Sequence, residues 1–138
     1  MKNPAFLLIL ALFMFSCNNS DKEPAEQGNK SGASPETISL KLGPAEFKEA
    51  MTKPGMQLVD VRTQEEMTDG YIMGATHLDF YSDNFETDLI ENLDKDKPVL
   101  VYCRSGGRSG NTAQMLEKAG FSEIYDLKGG FTAWSGSQ

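Results

Sequence analysis

Histidine is nearly absent from this chain: of 138 residues only His77 is one, and there are only two cysteines, Cys17 and Cys103. With one histidine there is no His–His or Cys–His cluster to hold zinc, and no second imidazole to pair with a first in hydrolysis. His77 is therefore read as a structural or surface residue, and no metal and no organic cofactor are expected. Basic residues are also in the minority, 13 Lys and Arg against 20 Asp and Glu, for a formal net charge of −7. An acidic surface repels phosphate backbones, which excludes DNA and RNA as partners. Any anionic substrate has to be drawn in by a local basic site against the overall field. The acids of residues 83–96 lack the spaced Asp/Asn-Gly pattern of a calcium loop and are read as a solvated helix face.

Long apolar runs are missing too. The longest contains Phe6 to Phe15, about half of the roughly 20 residues that a bilayer-spanning helix needs. It follows Lys2 and ends at Ser16-Cys17, after which the sequence turns polar. A positive start, a short apolar stretch and a small residue before the cut describe a secretory signal over residues 1–16. The Ser16-Cys17 ending resembles a lipobox, which implies acylation of Cys17 and attachment to a membrane through the lipid. An ordinary signal with a chance cysteine is the alternative. Removing residues 1–16 takes away Lys2 and no acid, so −7 becomes −8. The expected location is the cell envelope, as a periplasm-facing or surface lipoprotein, with the outer membrane favoured over the inner.

Residues 18–37 contain no aromatic and no branched aliphatic side chain. Such a stretch cannot bury enough apolar surface to offset its ordering entropy, so residues 17–37 are read as a lipidated cysteine followed by a disordered linker. A coil of that length has an average reach of ~25 Å. The folded domain is expected over 38–138, as a monomer.

From Ile38 onward, strand-like and helix-like periods alternate. Strands are expected over 38–42, 57–61, 75–78, 98–102 and 124–127. Helices are expected over 45–52, from Thr63 to Gly70 with a Thr63/Glu66 capping box, around Phe85–Leu93, from Ser109 as N-cap through Ala113, Leu116 and Ala119, and over 131–134. This alternation predicts an α/β domain with a mainly parallel sheet of four to five strands and helices on both faces. Asp60 and Arg62 are read as a structural ion pair or as hydrogen-bonding loops near the strand end, with Glu66 in the same scaffold, and Phe131 and Trp134 as core.

The segment Val99-Leu100-Val101-Tyr102-Cys103-Arg104-Ser105-Gly106-Gly107-Arg108-Ser109 concentrates the chemistry. A buried strand delivers a cysteine at its carboxyl end, and a glycine-containing loop leads into a helix. In open α/β sheets, ligands bind at that place. Loop amides and a helix N-terminus make an anion cradle there. A thiol flanked by Arg104 and Arg108 is expected to ionise easily. Gly106 and Gly107 are expected to allow turns that a side chain would block, and the two guanidiniums to hold an oxyanion. If Cys17 is a thioether, Cys103 is the single free thiol of an exported protein, a position that marks a reactive thiol.

These residues resemble the active-site loop of the rhodanese family. The upstream Leu58-Val59-Asp60-Val61-Arg62, Glu66 and Gly70-Tyr71-Ile72-Met73-Gly74-Ala75 are similar to that family's first signature, and Leu127-Lys128-Gly129-Gly130-Phe131 with Trp134 to its closing one. The resemblance implies a sulfurtransferase in which Cys103 carries a persulfide. Arg104, Ser105, Gly106, Gly107 and Arg108 would bind a thiosulfate-like donor, and a thiol or cyanide would accept the sulfur. Two other readings stay open: a persulfide carrier or partner-binding module without turnover of small donors, and a phosphatase. Phosphatases that share this fold place five residues between cysteine and arginine. Here four, Arg104 to Gly107, separate Cys103 from Arg108, which resembles the sulfurtransferase branch.

Overall fold

The computed structural model describes residues 36–138. The signal, Cys17 and nearly all of the linker lie outside the described residues.

Five strands form one sheet: β1 Ile38–Leu42, β2 Gln57–Asp60, β3 Thr76–His77, β4 Val99–Tyr102 and β5 Glu123–Leu127. The order is β1-β5-β4-β2-β3 and every pairing is parallel. Five helices connect them: α1 Pro44–Met51, α2 Gln64–Met67, α3 Phe85–Glu91, α4 Gly107–Lys118 and α5 Gly130–Gly136. The α/β architecture and the upper strand count both match the expectation from sequence.

The strand pattern explains two cores. All four residues of β4 are fully buried, and each aliphatic side chain so buried contributes ~1.5–3 kcal/mol. Val99 and Val101 point to one face, where they meet Val59, Leu89, Ala113, Leu116 and Ile124. Leu100 and Tyr102 point to the other, where they meet Phe47, Ala50, Ile72 and Leu127, with Phe131 and Trp134 packed alongside. A strand covered on both faces reads as a continuous apolar run, which is why this one was the plainest in the sequence.

The sheet reverses its winding at its centre. From β2 the chain steps outward to β3, then returns to β4 on the other side of β2 and continues to β5. The carboxyl ends of β2 and β4 are therefore adjacent, at the crevice where such sheets bind ligands. Asp60-Val61-Arg62 leaves one strand there and Cys103 leaves the other.

The start of α4 differs from expectation. Ser109 does not cap it. The cap is Gly106, in a left-handed conformation at φ 103°, and the helix begins at Gly107. Glycine is the one residue that adopts this backbone without strain, so the turn is set by Gly106 and the helix starts sooner. Gly107 is ordinary helix, and a Cβ there would meet nothing within 4 Å. The turn thus needs one glycine, not the expected pair.

Candidate active site

Cys103 sits in the first position after β4, with 1% of its surface exposed. Its Sγ accepts the Gly106 amide at 3.0 Å and the Ser109 hydroxyl at 3.4 Å. Burial pushes the thiol's pKa up, but the Ser109 hydroxyl and the amides of Ser109, Gly106 and Ser105 outweigh it and hold the pKa below the ordinary thiol value. The main cause differs from the expected one. The thiol is acidified chiefly by donors aimed at sulfur, made possible by the left-handed turn at Gly106, with attraction to the Arg108 charge beside them. Ser109, read from sequence as a cap, is a fully buried donor to sulfur.

The two arginines have separate fates. Arg104 is exposed beside a cleft of about 280 Å³ that it lines with Arg62, Glu66, Asp69, Phe131, Thr132 and Ser135. Arg108 is bound at both ends of its fork: Nη1 and Nη2 each donate to a Glu66 carboxylate oxygen at 2.7 Å. The Tyr81 ring lies 5.5 Å from the guanidinium carbon. Arg108 was expected to hold an oxyanion, but its fork is occupied by Glu66.

Glu66 also closes the capping box of α2, accepting the Thr63 amide at 3.0 Å. It thereby ties α2 to the first turn of α4. Its pKa drops from an ordinary 4.5 to about 2, chiefly because Arg108 bonds the ionised form. A depressed carboxylate stabilises the fold above its unfolded pKa and loses that contribution as pH falls through the folded one. Glu66→Gln is expected to cost ~2 kcal/mol at neutral pH, the scale of a charge-assisted bond. The difference from wild type should shrink between pH 4.5 and about 2. Urea unfolding of both proteins across that range checks it.

Asp60 and Arg62 form the expected ion pair, wholly inside the protein at 0% and 2% exposure. Arg62 Nη2 meets Asp60 Oδ2 at 2.7 Å, and its remaining donors reach the carbonyls of Gly70 at 2.8 Å and Glu66 at 3.1 Å. The Phe131 ring covers the guanidinium at 4.1 Å. His77 is a strut as expected, with Nε2 2.7 Å from the Arg62 carbonyl.

Sequence reasoning missed what Gly130 does. A Cβ there would stand 2.5 Å from the Cys103 carbonyl oxygen. The missing side chain lets α5 start against the cysteine loop: the Phe131 amide donates to the Cys103 carbonyl at 2.7 Å, and the Thr132 amide and hydroxyl donate to that of Arg104, each at 3.0 Å. The three sequence blocks thus meet at one loop. The Gly-Gly pair was visible as a signature, but its contact with residues so far upstream was not.

A rhodanese-like domain profile matches residues 43–137. The chain belongs to the rhodanese-like family. Among its relatives are a protein named thiosulfate sulfurtransferase GlpE from Pseudomonas putida, 38% identical over 68% of this chain and 83% of that one, and the uncharacterized protein YqhL of Bacillus subtilis, 40% identical over 72% and 75%. The crystal structure of a rhodanese-like domain protein from Staphylococcus aureus superimposes with a TM-score of 0.60 at 29% identity, over 68% of this chain and 89% of that one.

Proposed function

We propose that this rhodanese-like domain is a sulfurtransferase that carries sulfur as a persulfide on Cys103. One observation carries the reading: a cysteine at the switch point of the sheet whose Sγ is ringed by amides and a buried hydroxyl. Donors fixed in place before reaction stabilise a sulfur anion without reorganising. The relatives named as thiosulfate sulfurtransferases support the same reading.

In the first half-reaction the thiolate attacks the outer sulfur of a thiosulfate-like donor. A new S–S bond forms, the donor's S–S bond breaks, and sulfite leaves with the electron pair. In this reading Arg104, exposed next to Cys103 in the chain, holds the sulfonate oxygens. Arg108 supports the loop through Glu66 instead of gripping the anion, which departs from its expected role. The loop amides, including those of Ser105 and Gly106, receive the charge that the outer persulfide sulfur then carries. In the second half-reaction a thiol or cyanide attacks that sulfur and Cys103 leaves as thiolate. No metal or organic cofactor takes part in these steps. A phosphatase would need its loop arginine for phosphate, and here that fork is closed on Glu66.

Arg104→Ala separates substrate contact from support. Losing one charge-assisted contact costs about 1.5–3 kcal/mol, about 10- to 150-fold in kcat/KM for thiosulfate. The melting temperature should stay put, because Arg104 is exposed. A lower melting temperature with unchanged kinetics would assign Arg104 to structure.

The carrier reading is the second possibility, favoured by the burial of Cys103, 1% exposed. A persulfide formed only from a protein donor, with no turnover of thiosulfate, would select it. Acylation of Cys17 and attachment to the cell envelope are part of the proposal. Clickable fatty acid should label wild type but not Cys17→Ser, and equal labelling would remove the anchor from the reading.

A further inference from the structure

Asp126 is a charged group that nothing so far has used. It lies on β5, in register with Val101 of the central strand, and its side chain is 4% exposed. Among the described residues neither carboxylate oxygen has a hydrogen-bond partner. Buried polar groups are as a rule bonded and buried charges paired, so such a carboxylate calls for a counter-group. Lys41 is the cation beside it. Its Nζ stands 3.7 Å from Oδ2, beyond ordinary hydrogen-bond distance, on a side chain that is 65% exposed. An exposed ammonium held that loosely offsets little of a buried charge.

Asp126 also lines a cleft of about 210 Å³ between β1, β5 and α4. Its Oδ2 looks onto two other residues of the cleft wall, Lys41 and Gly110, and a Cβ on Gly110 would stand 3.7 Å away. This cleft shares no residue with the one beside Arg104. Its charged side chains are Asp126, Glu117 and Lys41. Two carboxylates against one ammonium leave one negative charge unmatched. Ser39 and Gln114 add oxygens that accept hydrogen bonds, and Leu40 and Ala113 add an apolar wall.

That lining narrows the ligand. One unmatched negative charge suits a monocation. A divalent metal ion takes six or so oxygens and would be pushed away by the Lys41 ammonium. Oxygen acceptors favour a cation that carries N–H donors over a bare ion, because charge-assisted hydrogen bonds are the strong ones. The apolar wall suits a short alkyl stem. At about 210 Å³ the cleft is smaller than the sites of drug-sized molecules, so its ligand is small.

We propose that this cleft binds a small primary alkylammonium ion, whose N–H groups bond the Asp126 carboxylate in place of the loose Lys41 contact. No covalent bond changes; one ammonium replaces another. The bound ion would sit against the first turn of α4, the helix that leaves the cysteine loop. The proposal does not depend on the chemistry of Cys103.

Ethylammonium chloride is the probe, titrated into the full chain at constant ionic strength so that screening of the acidic surface does not change. The backbone amide shifts of Leu40, Gly110 and Gln114 report the cleft. They are expected to move together and to saturate, with a Kd on the order of 1–10 mM, the range that so few ligand atoms can supply. Tetramethylammonium, equal in charge but without N–H donors, and potassium should bind at least about 10-fold more weakly. Asp126→Asn should abolish saturable binding. If that variant does not fold, Lys41→Met decides, because the lysine side chain is 65% exposed and its loss leaves the core untouched. Removing the competing ammonium should tighten ethylammonium binding about 2- to 5-fold, the range of an exposed ion pair. Shifts that do not saturate, equal binding of the three cations, binding retained by a folded Asp126→Asn, or no tightening in Lys41→Met each overturn the proposal.

Discussion

Cys103→Ser is expected to abolish persulfide formation while leaving the fold intact. Thiosulfate should add the mass of one sulfur atom to the wild-type chain, and cyanide should then remove it. The serine variant should show neither change, and turnover should fall by at least ~1,000-fold, as when a nucleophile is removed. The fold should survive because serine is nearly isosteric and can still accept from the Gly106 amide, which now meets Sγ at 3.0 Å. The packing is carried by the strand before it, buried at all four positions. Salt should slow reaction with anionic reagents, because the attraction at the loop mouth is screened. If wild type gains no sulfur from thiosulfate or from a protein persulfide donor, the sulfurtransferase reading fails and the partner-binding module takes its place.

Arg62→Met is expected to be the most damaging substitution away from the cysteine loop. It leaves Asp60, at 0% exposure, in the interior with its main partner gone. It also frees the carbonyls of Glu66 and Gly70 that Arg62 holds. Removing one member of a buried pair costs ~3–5 kcal/mol. For a domain of about 100 residues that corresponds to a fall in melting temperature on the order of 15–30 °C. The double variant Asp60→Leu with Arg62→Met should recover much of the loss, because an apolar pair removes the uncompensated charge. Thermal unfolding of the two proteins checks both statements. A small drop for the single variant would mean that water reaches Asp60.

The three blocks of sequence signature now have a physical relation. Asp60-Arg62 locks the turn after β2, Glu66 fastens that turn to Arg108 at the start of α4, and Gly130 lets α5 bond the loop's carbonyls. The loop that carries the thiol is thus bonded by segments that are far apart in the chain.

The sequence by itself determined the elements and the candidate reactive centre. β4 was legible because a strand buried on both faces must be apolar throughout. The Thr63/Glu66 capping box was legible because capping is a local interaction between residues three apart, and its bonds are present. Cys103 stood out because strand, thiol and glycine loop are contiguous. What only the tertiary structure decided was how side chains divide the work. Arg108 looked free in the sequence, since its partner Glu66 lies 42 residues earlier. Ser109 looked like a cap, since only the φ of Gly106 shows that the helix starts before it. Asp126 looked like any polar residue in a strand. Its burial against the first turn of α4, near Gly110, follows from the crossover that lays that helix on β5. Local patterns report bonds between near neighbours in the chain. Charges and donors are assigned by distance in space, and distance in space is set by the fold.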